Sequence, residues 1–257
     1  MLEIIKLYAY VCKLNLKKQH RNASLVNQEY DLGLWNRDTE DCDFLSLTEN
    51  YGKSRLDDGI FAVNDKLVKM NYAEFAKNKE KEQLSFFQDF QEDDIVELGC
   101  GLGGNLFSLH SAGFKNLTGC DLSPNAISKL KNYVDKNNIK IDFFIHDLNK
   151  PFETDLIKDK VVFTHTVLEQ TKNIVQNVLN NILKGMPKIV INFEVNYNKE
   201  PLLVRKYFDS RDYQNNLVNE LKKLESEGKI SIVKIQKLKF SGSPVNRISA
   251  IMWKPKQ

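Results

Sequence analysis

From residue 94 onward the chain alternates short apolar runs with segments whose apolar residues recur at helical spacing. Residues 95–98 (Ile-Val-Glu-Leu) predict a strand, and residues 106–111 predict a helix ending near Gly113. A second strand is predicted at 117–121. Ser123-Pro124 then supplies a helix start, with Ser as the cap and Pro at the first helical position, and this helix runs to about residue 137. Strands are expected at 141–145, 161–164 and 188–193, with a helix at 168–183. Such alternation implies a parallel sheet covered on both faces, so the fold class is α/β, doubly wound. In these sheets ligands sit over the carboxyl ends of the strands.

The first ninety residues read differently, with weak periodicity and mixed aromatic, acidic and basic positions. Ile4, Ile5, Tyr8, Val11, Cys12 and Leu14 do recur at helical spacing, which predicts an amphipathic helix against the core. A membrane-surface or homodimer contact is the alternative use of that face. The chain therefore divides into an N-terminal helical lid at 1–90 and a ligand-binding domain at 91–257.

Composition narrows the classes. A length of 257 residues suits one domain, or one domain with a lid, and 42% hydrophobic residues can fill a sizeable core. Lys and Arg number 37 against 34 Asp and Glu, a net charge of +3, which argues against a dedicated nucleic-acid binder. No apolar run reaches the roughly 18–20 residues that cross a bilayer. Glu3, Lys6 and Lys13 interrupt the apolar N-terminus, which does not read as a secretory signal. Cys12, Cys42, Cys100 and Cys120 form no C-x-x-C pair and no metal-ligand spacing with His20, His110, His146 or His165. Reduced thiols in a cytoplasmic protein are the expectation.

The chemistry centres on Gly99-Cys100-Gly101-Leu102-Gly103-Gly104, which follows the first predicted strand. Gly99-x-Gly101-x-x-Gly104 satisfies the dinucleotide fingerprint, and Asp121 follows at the distance of a ribose-binding carboxylate. Other acids point elsewhere. Glu97, two residues before the first glycine, suits the cationic amino acid part of a sulfonium cofactor. Asp147, closing the third strand, is placed to accept from an adenine amino group. The glycines permit tight turning and close backbone approach.

Residues 97–105 (Glu-Leu-Gly-Cys-Gly-Leu-Gly-Gly-Asn) resemble the first motif of the class I S-adenosylmethionine-dependent methyltransferases. Asp121-Leu122-Ser123-Pro124 resembles the second motif, whose carboxylate holds the ribose hydroxyls, and His146-Asp147-Leu148 resembles the third, against adenine. Thr164 to Gln170 resembles the exit of the fourth strand. The resemblance implies S-adenosylmethionine as cofactor, S-adenosylhomocysteine as product, and a mostly parallel seven-stranded sheet. Residues 230–237 and 248–253 would supply its last two strands. Glu97, Gly99, Cys100, Gly101, Gly103, Asn105, Asp121, Leu122, Asp147, Leu148 and Thr164 are the cofactor-binding candidates.

Methyl transfer from a sulfonium needs alignment and exclusion of water, and it requires no metal. A neutral alcohol acceptor would need a base, for which His165 is the candidate; packing against the cofactor is its other use. Glu169 fits a helix N-terminal charge better than a catalyst. No Asn/Asp-Pro-Pro-aromatic tetrad and no basic aromatic stripe is present, so a small-molecule acceptor is expected and nucleic acid is not. Tyr51, Lys53 and Arg55, with Tyr197, Arg205 and Tyr207, mix cations with aromatic rings and suit a phosphorylated or nucleotide-linked acceptor. Residues 240–255 loosely resemble the ends of methyltransferases from bacterial surface-polysaccharide pathways, including that of capsular phosphoramidate biosynthesis.

Overall fold

The computed structural model describes residues 7, 8, 11, 31 and 58–256, apart from 154, 171–173, 214 and 215. Its strands are β1 (Asp58–Val63), β2 (Lys66–Asn71), β3 (Ile95–Leu98), β4 (Leu117–Asp121), β5 (Asp142–Ile145), β6 (Val161–His165), β7 (Ile189–Val195), β8 (Ile230–Ser243) and β9 (Asn246–Pro255). Its helices are α1 (Tyr72–Leu84), α2 (Gly104–Ser111), α3 (Pro124–Asn137), α4 (Val175–Lys184), α5 (Leu202–Ser210) and α6 (Leu217–Ser226). The strands form one sheet in the order β2-β1-β8-β9-β7-β6-β3-β4-β5.

The half from β7 to β5 is parallel throughout, and β9, β8, β1 and β2 add to it in antiparallel steps. The α/β expectation holds, but the sheet is mixed and has nine strands among the described residues, where the sequence predicts seven. The extra pair comes from residues 58–71, which the sequence places in a helical lid. Asn64 and Asp65, at φ 47° and 63°, make a two-residue turn between Val63 and Lys66, and β1 pairs with β8. Positive φ at both turn positions matches the twist of a tight hairpin.

Alternation along the central strands builds two cores. Ile95, Phe163 and Ile191 face α2, α3 and the Phe86-Phe87 pair that follows α1. Their neighbours Val96, Val162 and Val190 face α4 and α6. Neighbours along a strand point to opposite faces, which explains why these runs are apolar throughout. The expected helix at 168–183 is instead a 3-10 turn at Leu168–Gln170, followed by α4 from Val175. A third apolar cluster joins Leu7, Val11, Leu67, Val195, Val204, Phe208, Tyr213 and Val245.

Helix caps fix the elements around the site. Ser123 caps α3, its hydroxyl accepting from the Ala126 N–H at 3.0 Å, with Pro124 at the first position. Asn71 caps α1 by accepting from the N–H groups of Ala73 and Glu74. Among the described residues no helix is long and apolar enough to cross a membrane.

Candidate functional site

The carboxyl ends of β3, β4 and β6 bring the predicted acids and glycines together. Gly99, Gly101 and Gly103 all take positive φ, at 75°, 53° and 72°. The N–H groups of Gly99 and Cys100 both donate to the Cys120 carbonyl at 2.8 Å, and the Gly103 N–H to that of Cys100. A Cβ at Gly99 would sit 2.3 Å from Val167 Cγ2, and one at Gly103 would sit 2.9 Å from Leu130 Cδ2. At these two positions glycine is required by the packing of β6's exit and of α3 against the loop. The Cys100 side chain turns into the core, where burial pushes its thiol well up and keeps it protonated.

Asp121 holds the loop from beside. One oxygen accepts from the Gly101 N–H at 2.8 Å and the other from the Ser123 N–H at 2.9 Å. Burial raises its carboxyl above the usual range despite these bonds. Asp31 reaches the same corner from the N-terminal segment. It is buried, and it accepts from the Ser123 hydroxyl and from the Asn125 N–H. Leu122 and Ile145 leave exposed apolar surface at the ends of β4 and β5. Asp147 accepts from the Asn149 N–H at 2.9 Å, and the Leu148 carbonyl accepts from Asn181.

Glu97 is the most unusual group in the loop region. It is buried, and Asn105 donates to its Oε1 at 2.6 Å, while Oε2 is buried with no partner among the described residues. Burial, aided by the charge of Asp121, pushes the carboxyl up to about 8 against the Asn105 bond.

The exit of β6 is organised by a residue on β7. Glu194 Oε1 accepts from the Thr164 hydroxyl at 3.0 Å and from the N–H groups of Val167 and Leu168 at 3.1 Å. Thr164 is itself wholly buried and accepts from Asn192, whose carbonyl oxygen accepts from the Trp253 indole. Burial raises Glu194 to about 7. His165 is adjacent, its ring 6.1 Å from Phe193 and its Nδ1 3.3 Å from Thr166 Oγ1. Its Nε2 is buried without a partner, and burial together with the charge of Lys79 holds the imidazole well below its usual value. His165 is therefore neutral at pH 7.

Residues 95–185 match the family model of a methyltransferase domain. The chain carries an S-adenosylmethionine-dependent methyltransferase domain. No curated protein matches the sequence. Magnesium protoporphyrin IX methyltransferase from Synechocystis PCC 6803, solved with bound S-adenosylhomocysteine, superposes with a TM-score of 0.58 at 14% identity, covering 92% of this chain and 100% of that one. A protein of Pyrococcus horikoshii OT3 gives 0.52 at 17% identity, over 72% of this chain and 91% of that chain. The methyltransferase domain of a bacterial CtHen1-C gives 0.51 at 16%, over 70% and 98%.

The residues of this methyltransferase fit its cofactor. The free oxygen of Glu97 offers the empty acceptor position that an α-ammonium group needs, and such a group would favour its ionised form. Asp121 spends one lone pair of each oxygen on the loop and keeps others for ribose hydroxyls. The remaining predicted residues distribute unevenly. Tyr197 donates its hydroxyl to Asp209 and lies under Arg205, whose guanidinium is 6.0 Å from the ring. Tyr207 packs beside Phe208 and Tyr213. These three gather around α5, beyond the end of β7. Tyr51, Lys53 and Arg55 lie outside the described residues, as does most of the N-terminal helix and lid.

Lys79 on α1 was missed by the sequence reading. It is the cation whose charge reaches His165, and burial alone lowers it to about 8. The signal was its position on the inward stripe Phe75, Lys79, Gln83, Phe86, where a lysine interrupts an apolar face.

Proposed function

We propose that this methyltransferase methylates an oxygen of a small-molecule acceptor that is already anionic, in a phosphorylated or nucleotide-linked compound. The observation that carries the reading is the state of His165. A general base works best with a pKa near the working pH, and this imidazole lies well below it, with only the Thr166 hydroxyl beside Nδ1. An acceptor oxygen that carries its own negative charge needs no base.

The cofactor supplies an electrophilic methyl group on a sulfonium: the acceptor oxygen's lone pair forms the O–C bond as the S–C bond breaks, its electrons staying on sulfur. The chain's own residues position and exclude. Glu97 takes the ammonium end, Asp121 the ribose, and Leu122 and Ile145 offer apolar surface toward the base. Glu194 fixes the β6 exit, so that His165 and Val167 hold one wall rigid.

The loose resemblance of residues 240–255 supports surface-polysaccharide precursors, phosphoramidates among them, as the first acceptors to try. The test is a methylation screen by mass spectrometry over sugar phosphates, nucleotide sugars, phosphoramidates, neutral sugars and amines. Methylation of an anionic oxygen is expected, with His165→Ala costing less than about tenfold, or about 1.4 kcal/mol. Turnover of a neutral alcohol with a His165→Ala loss of about 10²–10⁴ overturns the reading in favour of base catalysis.

A further inference from the structure

Helix α1 packs on the sheet through one stripe, and that stripe is not uniformly apolar. Phe75 stacks on Phe61 at 4.1 Å, and Phe86 meets Phe193 edge-on at 5.6 Å. Between them on the same face stand Lys79 and Gln83, one turn apart. Phe193 in turn pairs with His165 across β6 and β7. The polar middle of the α1 stripe and the His165 imidazole thus lie on the same side of the sheet, at the end where β6 leaves it.

Three groups in this region lack partners among the described residues. Gln83 Nε2 and His165 Nε2 are buried with no hydrogen bond, and Lys79 is partly buried with no acid against it. A lysine in the covered stripe of a helix is costly unless something negative meets it. Glu82, three residues further along α1, is committed to the N–H groups of Lys239 and Phe240. When His165 Nδ1 accepts from the Thr166 hydroxyl, Nε2 carries the ring proton, so all three groups are donors.

We propose that Lys79, Gln83 and His165 Nε2 form the wall that receives the acceptor's anionic group, a carboxylate or phosphoryl oxyanion. This rests on the reading of an anionic oxygen acceptor and adds the residues that select it. Lys79 supplies the charge, while Gln83 and His165 supply directed N–H donors. Methylation removes one negative charge from the acceptor without releasing a proton. The product is then held less strongly by Lys79 than the substrate was, which favours its departure.

The test measures anion binding, independently of turnover. The full-length protein, saturated with S-adenosylhomocysteine, is titrated with inorganic phosphate and separately with acetate, following the His165 imidazole by NMR and the heat by calorimetry. Saturable binding that shifts the His165 resonance is expected. Lys79→Met should weaken it at least tenfold, Lys79→Arg should retain it within about threefold, and Lys77→Met, an exposed neighbour, should leave it unchanged. S-adenosylhomocysteine affinity should be the same in all four proteins, which also verifies that the variants are folded. Stronger binding of phosphate identifies a phosphoryl acceptor, and stronger binding of acetate a carboxylate. Equal binding by Lys79→Met and wild type, or no anion binding by wild type, overturns the inference. Methylation of only neutral or amine acceptors, with Lys79-dependent phosphate binding intact, instead overturns the acceptor reading and leaves the anion site standing.

Discussion

Asn105 donates to one oxygen of Glu97 at 2.6 Å, and the other oxygen is buried with no partner. With the carboxyl raised to about 8, the ligand-free protein holds it mostly as the acid at pH 7. An ammonium group arriving at the free oxygen favours the carboxylate and pushes the pKa down. Binding of S-adenosylhomocysteine at pH 7 should therefore release close to one proton. Calorimetry in two buffers of different ionisation enthalpy measures the number, and a value near zero would count against the pairing. Glu97→Gln should abolish the release and weaken binding at least tenfold.

The same group sets a pH dependence of the ligand-free fold. Glu97 and Glu194 both have folded values, about 8 and about 7, above the ordinary 4.5. Their contribution is therefore fully present below about pH 4.5 and is lost as pH rises through the folded values. Between those limits the unfolded chain is ionised while the native one retains its protons. Glu97→Gln should raise Tm at pH 8 and leave it nearly unchanged at pH 4. At about 1.4 kcal/mol per unit, the gain is at most on the order of 5 kcal/mol. Equal Tm shifts at both pH values would contradict the assignment.

Glu194 is a positioning residue by its bonds. Its Oε1 gathers the Thr164 hydroxyl and the N–H groups of Val167 and Leu168. Glu194→Ala leaves these donors buried and unpaired, at a cost of about 1–3 kcal/mol for each group left without a partner. Glu194→Gln keeps an acceptor in place and should lose less than half as much. Thermal unfolding of the two variants measures this directly, and equal losses would mean that the loop does not depend on the acceptor.

Much of the central domain was legible because its signals are local. The short, mostly apolar runs of β3 and β6 and the Ser123-Pro124 start of α3 agree with what their neighbours require. The β1–β2 hairpin was not seen, since its Asn64-Asp65 turn lacks glycine and β2 (Lys-Leu-Val-Lys-Met-Asn) shows no clean alternation of apolar and polar positions. The 3-10 turn at Leu168–Gln170 was not legible for another reason. Its first N–H donates to Glu194, twenty-six residues away, a contact that no local propensity encodes. The acids of the site, Glu97 and Asp121, were readable from spacing, whereas Lys79 was lost among the many lysines of the chain.

The approach of Val167 to Gly99 can be separated from ligand contact by a double-mutant cycle. An alanine at 99 must adopt φ near 75° and brings its Cβ 2.3 Å from Val167 Cγ2. Strain of about 1–2 kcal/mol comes from the backbone alone, and the clash adds to it. Gly99→Ala should thus be strongly destabilising, and adding Val167→Ala should recover the steric part but not the backbone part. An interaction energy of at least about 1 kcal/mol in Tm-derived stability is expected. Additive effects would show that the loop moves away freely.

Lys79 links stability to function in opposite directions. Burial lowers its ammonium to about 8 from the usual 10.5, so the folded state holds the charge less readily than the unfolded chain does. For a base depressed in this way, stability is greatest above about pH 10.5 and is lost as pH falls through about 8. At pH 7 the cost is at most about 3 kcal/mol, reduced because the side chain retains some contact with water. Lys79→Met should accordingly raise Tm at pH 7, and the gain should shrink as pH approaches 10. A residue retained for packing would give the opposite sign, because its replacement would lower Tm. If the stabilised variant also binds phosphate at least tenfold more weakly, the lysine is held at a cost to the fold for the sake of an anion that it meets only when the acceptor arrives.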